Sequence, residues 1–159
     1  MTEARRIFLD RDDWIPNNPR LPVLVYRNAV DHDDPDIGAS LERLFTCNGW
    51  LIAERASIHR DYHYHATAHE VIGVAAGSAI LGLGGPHSVR LAVDASDVIV
   101  LPAGTGHARL AASLDFCLVS ACPPGQDAVE CRDVVSTAVT IAIAAVPDPL
   151  QDPVGGPRS

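Results

Sequence analysis

The chain has 159 residues, enough for one domain of ordinary size with a core of its own. Hydrophobic residues make up 47% of it and aromatic residues only 5%, so the core must be built from Val, Ile, Leu and Ala rather than from large rings. Twelve basic against twenty acidic residues give a formal charge of −8, which argues against a nucleic-acid protein and against a docking site for anionic membranes, since both need a basic surface.

The start, MTEARRIFLDRDDW, lacks the apolar core of a signal peptide, and no apolar run reaches the length of a membrane span. A cytoplasmic protein with reduced thiols is therefore expected. Cys47, Cys117, Cys122 and Cys131 form no C-x-x-C pair and read as small buried hydrophobes, with Cys122, beside the Pro-Pro-Gly turn, open to partial exposure.

Residues 1–20 read as an extended arm with turns at Asn17-Asn18-Pro19, followed by a strand candidate over 22–27. After an acidic loop, Ile37, Leu41, Leu44 and Phe45 recur at helical spacing. Asp36 is placed to cap that helix and Asn48-Gly49 to end it.

From Trp50 the pattern changes to short apolar runs at 50–58, 61–65, 70–76, 78–83, 88–93, 97–101, 106–111 and 114–121. Gly77, Gly84-Gly85-Pro86, Pro102-Ala103-Gly104 and Pro123-Pro124-Gly125 punctuate them. Regular short strands between turn signals predict an all-β sandwich or barrel rather than βαβ units. Residues 134–146 are β-branched and Ala-rich and are read as a late strand, with a helix as the alternative. The Pro-rich remainder is read as an irregular surface arm, or as disordered at its end.

The chemistry concentrates in His63-Tyr64-His65-Ala66-Thr67-Ala68-His69-Glu70. On a strand, residues two apart point to one face, so His63 and His65 can converge on one ion. A tight connection over 66–69 would bring Glu70 onto the neighbouring strand beside them. A second apolar strand runs through Pro102-Ala103-Gly104 to His107, which can supply a third imidazole.

These two stretches resemble the cupin motifs. His63, His65, Glu70 and Gly77 match the first motif after its opening glycine; Pro102, Gly104 and His107 match the second. Ser57 and Ser96 stand at the two leading glycines, and Ala111 replaces the closing Asn. None of these departures touches a usual ligand. Asn17-Asn18-Pro19-Arg20-Leu21-Pro22, Pro123-Pro124-Gly125-Gln126, Val146-Pro147 and Asp152-Pro153-Val154 extend the resemblance to the YjlB-like small bacterial cupins, across nearly the whole chain.

The resemblance implies a double-stranded β-helix, a jelly-roll barrel, with one short N-terminal helix and irregular terminal arms. It implies a single domain over 1–159. The barrel core lies at about 50–122, the arm, strand and helix at 1–49, and a C-terminal strand and tail at 123–159. It implies one divalent transition metal on His63, His65, Glu70 and His107. It also implies a homodimer, by exchange of N-terminal strands.

A mixed N/O donor set suits Fe, Mn, Ni, Co, Cu or Zn. Glu70 either ligates or sits just outside the ion as a base or an orienting partner. A mononuclear non-haem iron oxygenase acting on a small organic molecule is the first reading, with a dioxygenase in view. A redox-neutral isomerase, decarboxylase or lyase is the second, and a non-catalytic small-molecule binder the third. Apolar inward positions at Ile72, Val74 and Ala76 suit an organic ligand.

His69 has the wrong parity for the site and is assigned to structure or to a subunit interface. His32, His59 and His87 are read as surface residues. Tyr62 and Tyr64 alternate with the histidines and should face away from them. Arg109 follows His107 by two and shares its face: it could clamp a substrate carboxylate, pair with a structural acid or exit to solvent.

Overall fold

The computed structural model describes residues 3–157. In chain order the elements are β1 (Arg5–Ile7), β2 (Val23–Tyr26), α1 (Ile37–Cys47), β3 (Leu51–Ala56), β4 (Tyr64–His65), β5 (Glu70–Ala76), β6 (Ser78–Leu83) and β7 (Val89–Asp94). They continue with β8 (Val98–Leu101), β9 (His107–Ala112), β10 (Cys117–Cys122), β11 (Glu130–Cys131), α2 (Thr137–Ala145), β12 (Gln151–Asp152) and β13 (Gly156–Pro157).

Two antiparallel sheets face each other. The larger has the order β1-β2-β8-β5-β10-β3 and the smaller β7-β6-β9. From β5 onward the chain crosses between them: β5, β8 and β10 lie in the larger sheet, β6, β7 and β9 in the smaller. That winding is the expected jelly roll.

Strand composition follows from what covers each face. In β8, Ile99 and Leu101 point inward to meet Ile72, Val74, Leu81, Leu83, Leu91 and Val93 in the core between the sheets. Val98 and Val100 point outward into a second cluster with Leu41, Phe45, Trp50 and Val119. Both faces are covered, so β8 is apolar throughout. β7 has only its inner face covered, and Leu91 and Val93 alternate with exposed Arg90, Ala92 and Asp94.

The cover on the larger sheet is α1. Its N-cap Asp36 accepts a hydrogen bond from the Ala39 amide at 3.0 Å, and Gly49 at φ +82° takes the chain out of it. Leu41 and Phe45 are fully buried against the sheet. They can approach because residue 73 is Gly: a Cβ there would stand 2.9 Å from both Leu41 methyls and 3.0 Å from Phe45 Cζ.

Three expectations are corrected. The late strand over 134–146 is instead the helix α2, begun by the Ser136 side chain accepting from Val139 N–H. The run is apolar without a two-residue alternation and rich in Ala, the best helix former, and Ile143 seats it on Ala103. The tail is not an irregular arm up to its described end. β12 and β13 form a small hairpin held by Trp50 Nε1–H on Gln151 O at 2.9 Å, Asn48 Nδ2 on Pro153 O at 2.7 Å and Tyr26 OH on Asp152 at 2.8 Å. The expected disorder at its very end falls outside the described residues.

The cysteines, finally, are free but not buried: Cys47 is exposed and Cys117 and Cys131 are half-buried, as is Cys122, for which partial exposure is expected. The N-terminal arm contributes β1, which pairs with β2 of its own chain. Among the described residues, no helix is long and apolar enough to cross a membrane.

Candidate metal centre

His63 and His107 face each other across an antiparallel bridge, with His63 N to His107 O at 3.2 Å and His107 N to His63 O at 3.0 Å. Gly104 N donates to His65 O at 2.8 Å. The two histidine motifs are thus joined through their backbones. Glu70 arrives differently from the expected neighbouring strand. β5 pairs with β8 and β10, while the His63–His65 stretch pairs with β9 and β11. Residues 66–69 carry the chain from one sheet to the other, so Glu70 reaches the histidines from across the barrel.

Each imidazole is oriented by a backbone carbonyl. His63 Nδ1 lies 3.1 Å from Asp61 O, His65 Nδ1 3.0 Å from Val129 O and His107 Nδ1 3.0 Å from Thr105 O. A carbonyl only accepts, so each Nδ1 carries the proton and each Nε2 presents a lone pair when the ring is neutral. The ligand nitrogens of the three rings lie within 4.8 Å of one another, and all three residues are buried. Glu70 closes the group, with Oε2 3.3 Å from His65 Nε2 and Oε1 3.8 Å from His107 Nε2.

The electrostatics divide the rings. Burial pushes His107 down to about 3, and burial also lowers His63. Burial opposes protonation of His65 as well, but the hydrogen bond and charge of Glu70 outweigh it and hold His65 above its ordinary value. Burial would raise the Glu70 carboxyl, yet the surrounding imidazoles, His65 foremost, keep it below the usual range. Two rings are therefore held neutral, and one carboxylate is held ionised beside them. Converging lone pairs with an adjacent negative charge fit a divalent cation: imidazole and carboxylate are the donors that borderline transition metals take.

The turn before His107 is built by the N-terminal arm. Asn17, 1% exposed, donates from Nδ2 to Asp10 O and Gly84 O and accepts from Gly106 N–H at 2.9 Å. Asn18 Nδ2 donates to Ala103 O at 3.0 Å. Gly104 has φ +90°, and a Cβ there would meet Asn17 O at 2.9 Å, so only glycine fits.

His69 takes the structural branch of its reading. It is buried, and its Nδ1 accepts from Ala103 N–H at 2.9 Å, tying the β5 entry to the same turn. Tyr64 faces away as expected, fully buried, its hydroxyl donating to Asp133 O at 2.5 Å. His32, His59 and His87 are exposed. Arg109 turns to the surface: Nη1 donates to Ser57 Oγ at 2.8 Å. Both line an open depression of about 390 Å³ with Ile58, His59, Arg60 and Asp61.

Sequence reasoning missed the segment 123–136, which crosses the site. Val129 O orients His65, Thr67 Oγ1 donates to Asp127 O at 2.7 Å, and His69 N donates to Gln126 Oε1 at 2.9 Å. Two of these three contacts use carbonyls, which no side-chain pattern announces.

No protein-family model matches the chain. RmlC from Streptococcus suis, solved in complex with dTDP-D-xylose, aligns over 77% of this chain and 69% of that one at a TM-score of 0.40 and 17% identity, too loosely to carry an argument. The chain is 35% identical over 123 residues to the uncharacterized protein YjlB of Bacillus subtilis (strain 168), covering 77% of this chain and 72% of that protein. With the jelly roll and both histidine motifs in place, that relationship makes the chain a member of the YjlB-like family of small cupins.

Proposed function

We propose that the protein is a metal-dependent cupin acting on a small organic molecule, and in the first place a mononuclear non-haem iron oxygenase. One observation carries the metal: three imidazoles whose Nδ1 atoms are each committed to a carbonyl, with their ligand nitrogens gathered in one buried spot. His63, His65 and His107 would hold the ion, and Glu70, beside two of them, would ligate it. A bound divalent metal supplies Lewis acidity and, if it is iron, a route to dioxygen.

The protein's own part is to orient the three rings, to keep Glu70 ionised next to them and to exclude water with the apolar core beneath. That core is filled by Ile72, Val74, Ile99 and Leu101, so an organic substrate would approach from the rim rather than through the barrel. The redox-neutral reading, an isomerase, decarboxylase or lyase, rests on Glu70. Mostly buried and held ionised, it would serve as the base that takes a proton from a bound substrate.

Elemental analysis of protein purified without added metal tests the site. About one equivalent of a transition metal is expected in the wild type and none in His107→Ala. Substrate-dependent oxygen uptake by the iron form supports the oxygenase, and turnover under strict anoxia with Mn(II) or Zn(II) rejects it.

A further inference from the structure

A second carboxylate stands at the histidine cluster, on the far side of the chain. Glu130 lies in β11, directly opposite His65 of β4. Its Oε1 is 3.8 Å from His63 Nε2, the same separation that Glu70 Oε1 has from His107 Nε2. Its other oxygen, Oε2, is 3.7 Å from Arg132 Nη2. Arg132 Nη1 is in turn 3.8 Å from Asp61 Oδ2, and the Asp61 carbonyl is the group that orients His63. A side chain 45% exposed to solvent has no need to turn one oxygen toward a buried imidazole. Here the arginine pairs by charge with one oxygen, and the other faces His63 Nε2. Glu70 reaches the cluster from the larger sheet, Glu130 from the 123–136 segment, and two carboxylates balance the charge of a divalent ion.

We propose that Glu130 is a further protein donor to the ion, so that metal binding fastens the 123–136 segment over the site. This rests on the reading that the three histidines hold a metal. The segment is already tied to the site by Val129 O on His65 and by the Tyr64 hydroxyl on Asp133 O. The ion would add a bond between the segment and the barrel that does not exist without it.

The test compares the wild type with Glu130→Gln, using Zn(II) as the probe. Affinity is read by competition with a chromophoric chelator, and closure of the segment by amide hydrogen exchange over 123–136 with and without zinc. In the wild type, zinc is expected to slow exchange there at least about tenfold. Glu130→Gln should still bind one zinc through the histidines, with Kd raised at least about tenfold and with most of the slowing over 123–136 lost, leaving only what the Val129 carbonyl on His65 transmits. Glu130 is half exposed, so the metal-free variant should exchange like the wild type elsewhere, which shows that it is folded. A variant that keeps the wild-type Kd, or that keeps most of the slowing over 123–136, overturns the proposal. Failure of the metal reading looks different: wild type and His107→Ala would then be alike in binding no zinc.

Discussion

Ser96 stands where the second cupin motif has its leading glycine, and its backbone shows why glycine is usual there. It has φ +80° and no solvent exposure. An L side chain in that region costs roughly 1–2 kcal/mol. Ser96 offsets this locally, with its N–H on Val74 O at 2.8 Å and its hydroxyl on Asn28 Oδ1 at 3.1 Å. Removing the hydroxyl by Ser96→Ala leaves the strain uncompensated; Ser96→Gly loses the same bond but relieves the strain. Glycine is therefore expected to be the more stable variant by about 1 kcal/mol, against its ordinary disadvantage relative to alanine, as read from urea midpoints. Equal or reversed midpoints would show that residue 96 is not strained. At the first motif, Ser57 replaces the glycine without a positive φ, and its hydroxyl accepts from Arg109. That bond draws Arg109 outward, although strand parity set it on the face of His107. At this scale the histidines were legible because a spacing of two on a strand fixes a common face. Glu130 was not, lying 60 residues beyond Glu70 with no spacing rule to connect them. The carbonyls that orient the rings belong to the backbone and leave no mark in the residue pattern.

Elements were legible where their periodicity ran long enough to be read. α1 was predicted from the spacing of Ile37, Leu41, Leu44 and Phe45 and from its caps; β5 and β6 match their predicted spans. β4 and β11 are two residues each, too short for an alternation to show, yet they join the 123–136 segment to the histidines. α2 misled because β-branched Val and Ile are interleaved with Ala and the run has no polar face to reveal a helical stripe. The helix packed on the barrel's larger sheet is α1, and its Leu41, fully buried, rests over Gly73. Leu41→Ala opens a cavity there and is expected to cost about 3 kcal/mol in chemical denaturation. Leu41 lies on the outer face of β5, whereas Glu70 and Ile72 point to the inner one. Zinc affinity at neutral pH should therefore stay within about twofold of wild type, as distant and unshared sites behave additively. A large loss of affinity would mean that the outer layer sets the geometry of the site.

The cluster is assembled by the whole molecule rather than by one motif. His63 and His65 come from the segment beside β9, His107 from β9 itself, and Glu70 from the opposite sheet. Asn17 and Asn18 of the N-terminal arm fix the turn before His107, and Val129 of the C-terminal segment fixes His65. An unfolded chain cannot gather these groups, so a metal that binds here stabilises the folded state by mass action. With free zinc at a hundred times Kd the gain is about 2.7 kcal/mol. A domain of this size then melts about 5–10 °C higher, as followed by calorimetry of metal-free protein with and without zinc. His107→Ala takes away one of the three rings and the turn's hydrogen-bonded end point, and should show almost none of that rise. An equal rise in His107→Ala would place the stabilising ion elsewhere on the acidic surface. The comparison also separates the arms from the barrel. If the ion couples them, the melt of the zinc form stays a single transition, because the N-terminal arm and the 123–136 segment cannot leave without releasing the groups that hold His107 and His65 in place.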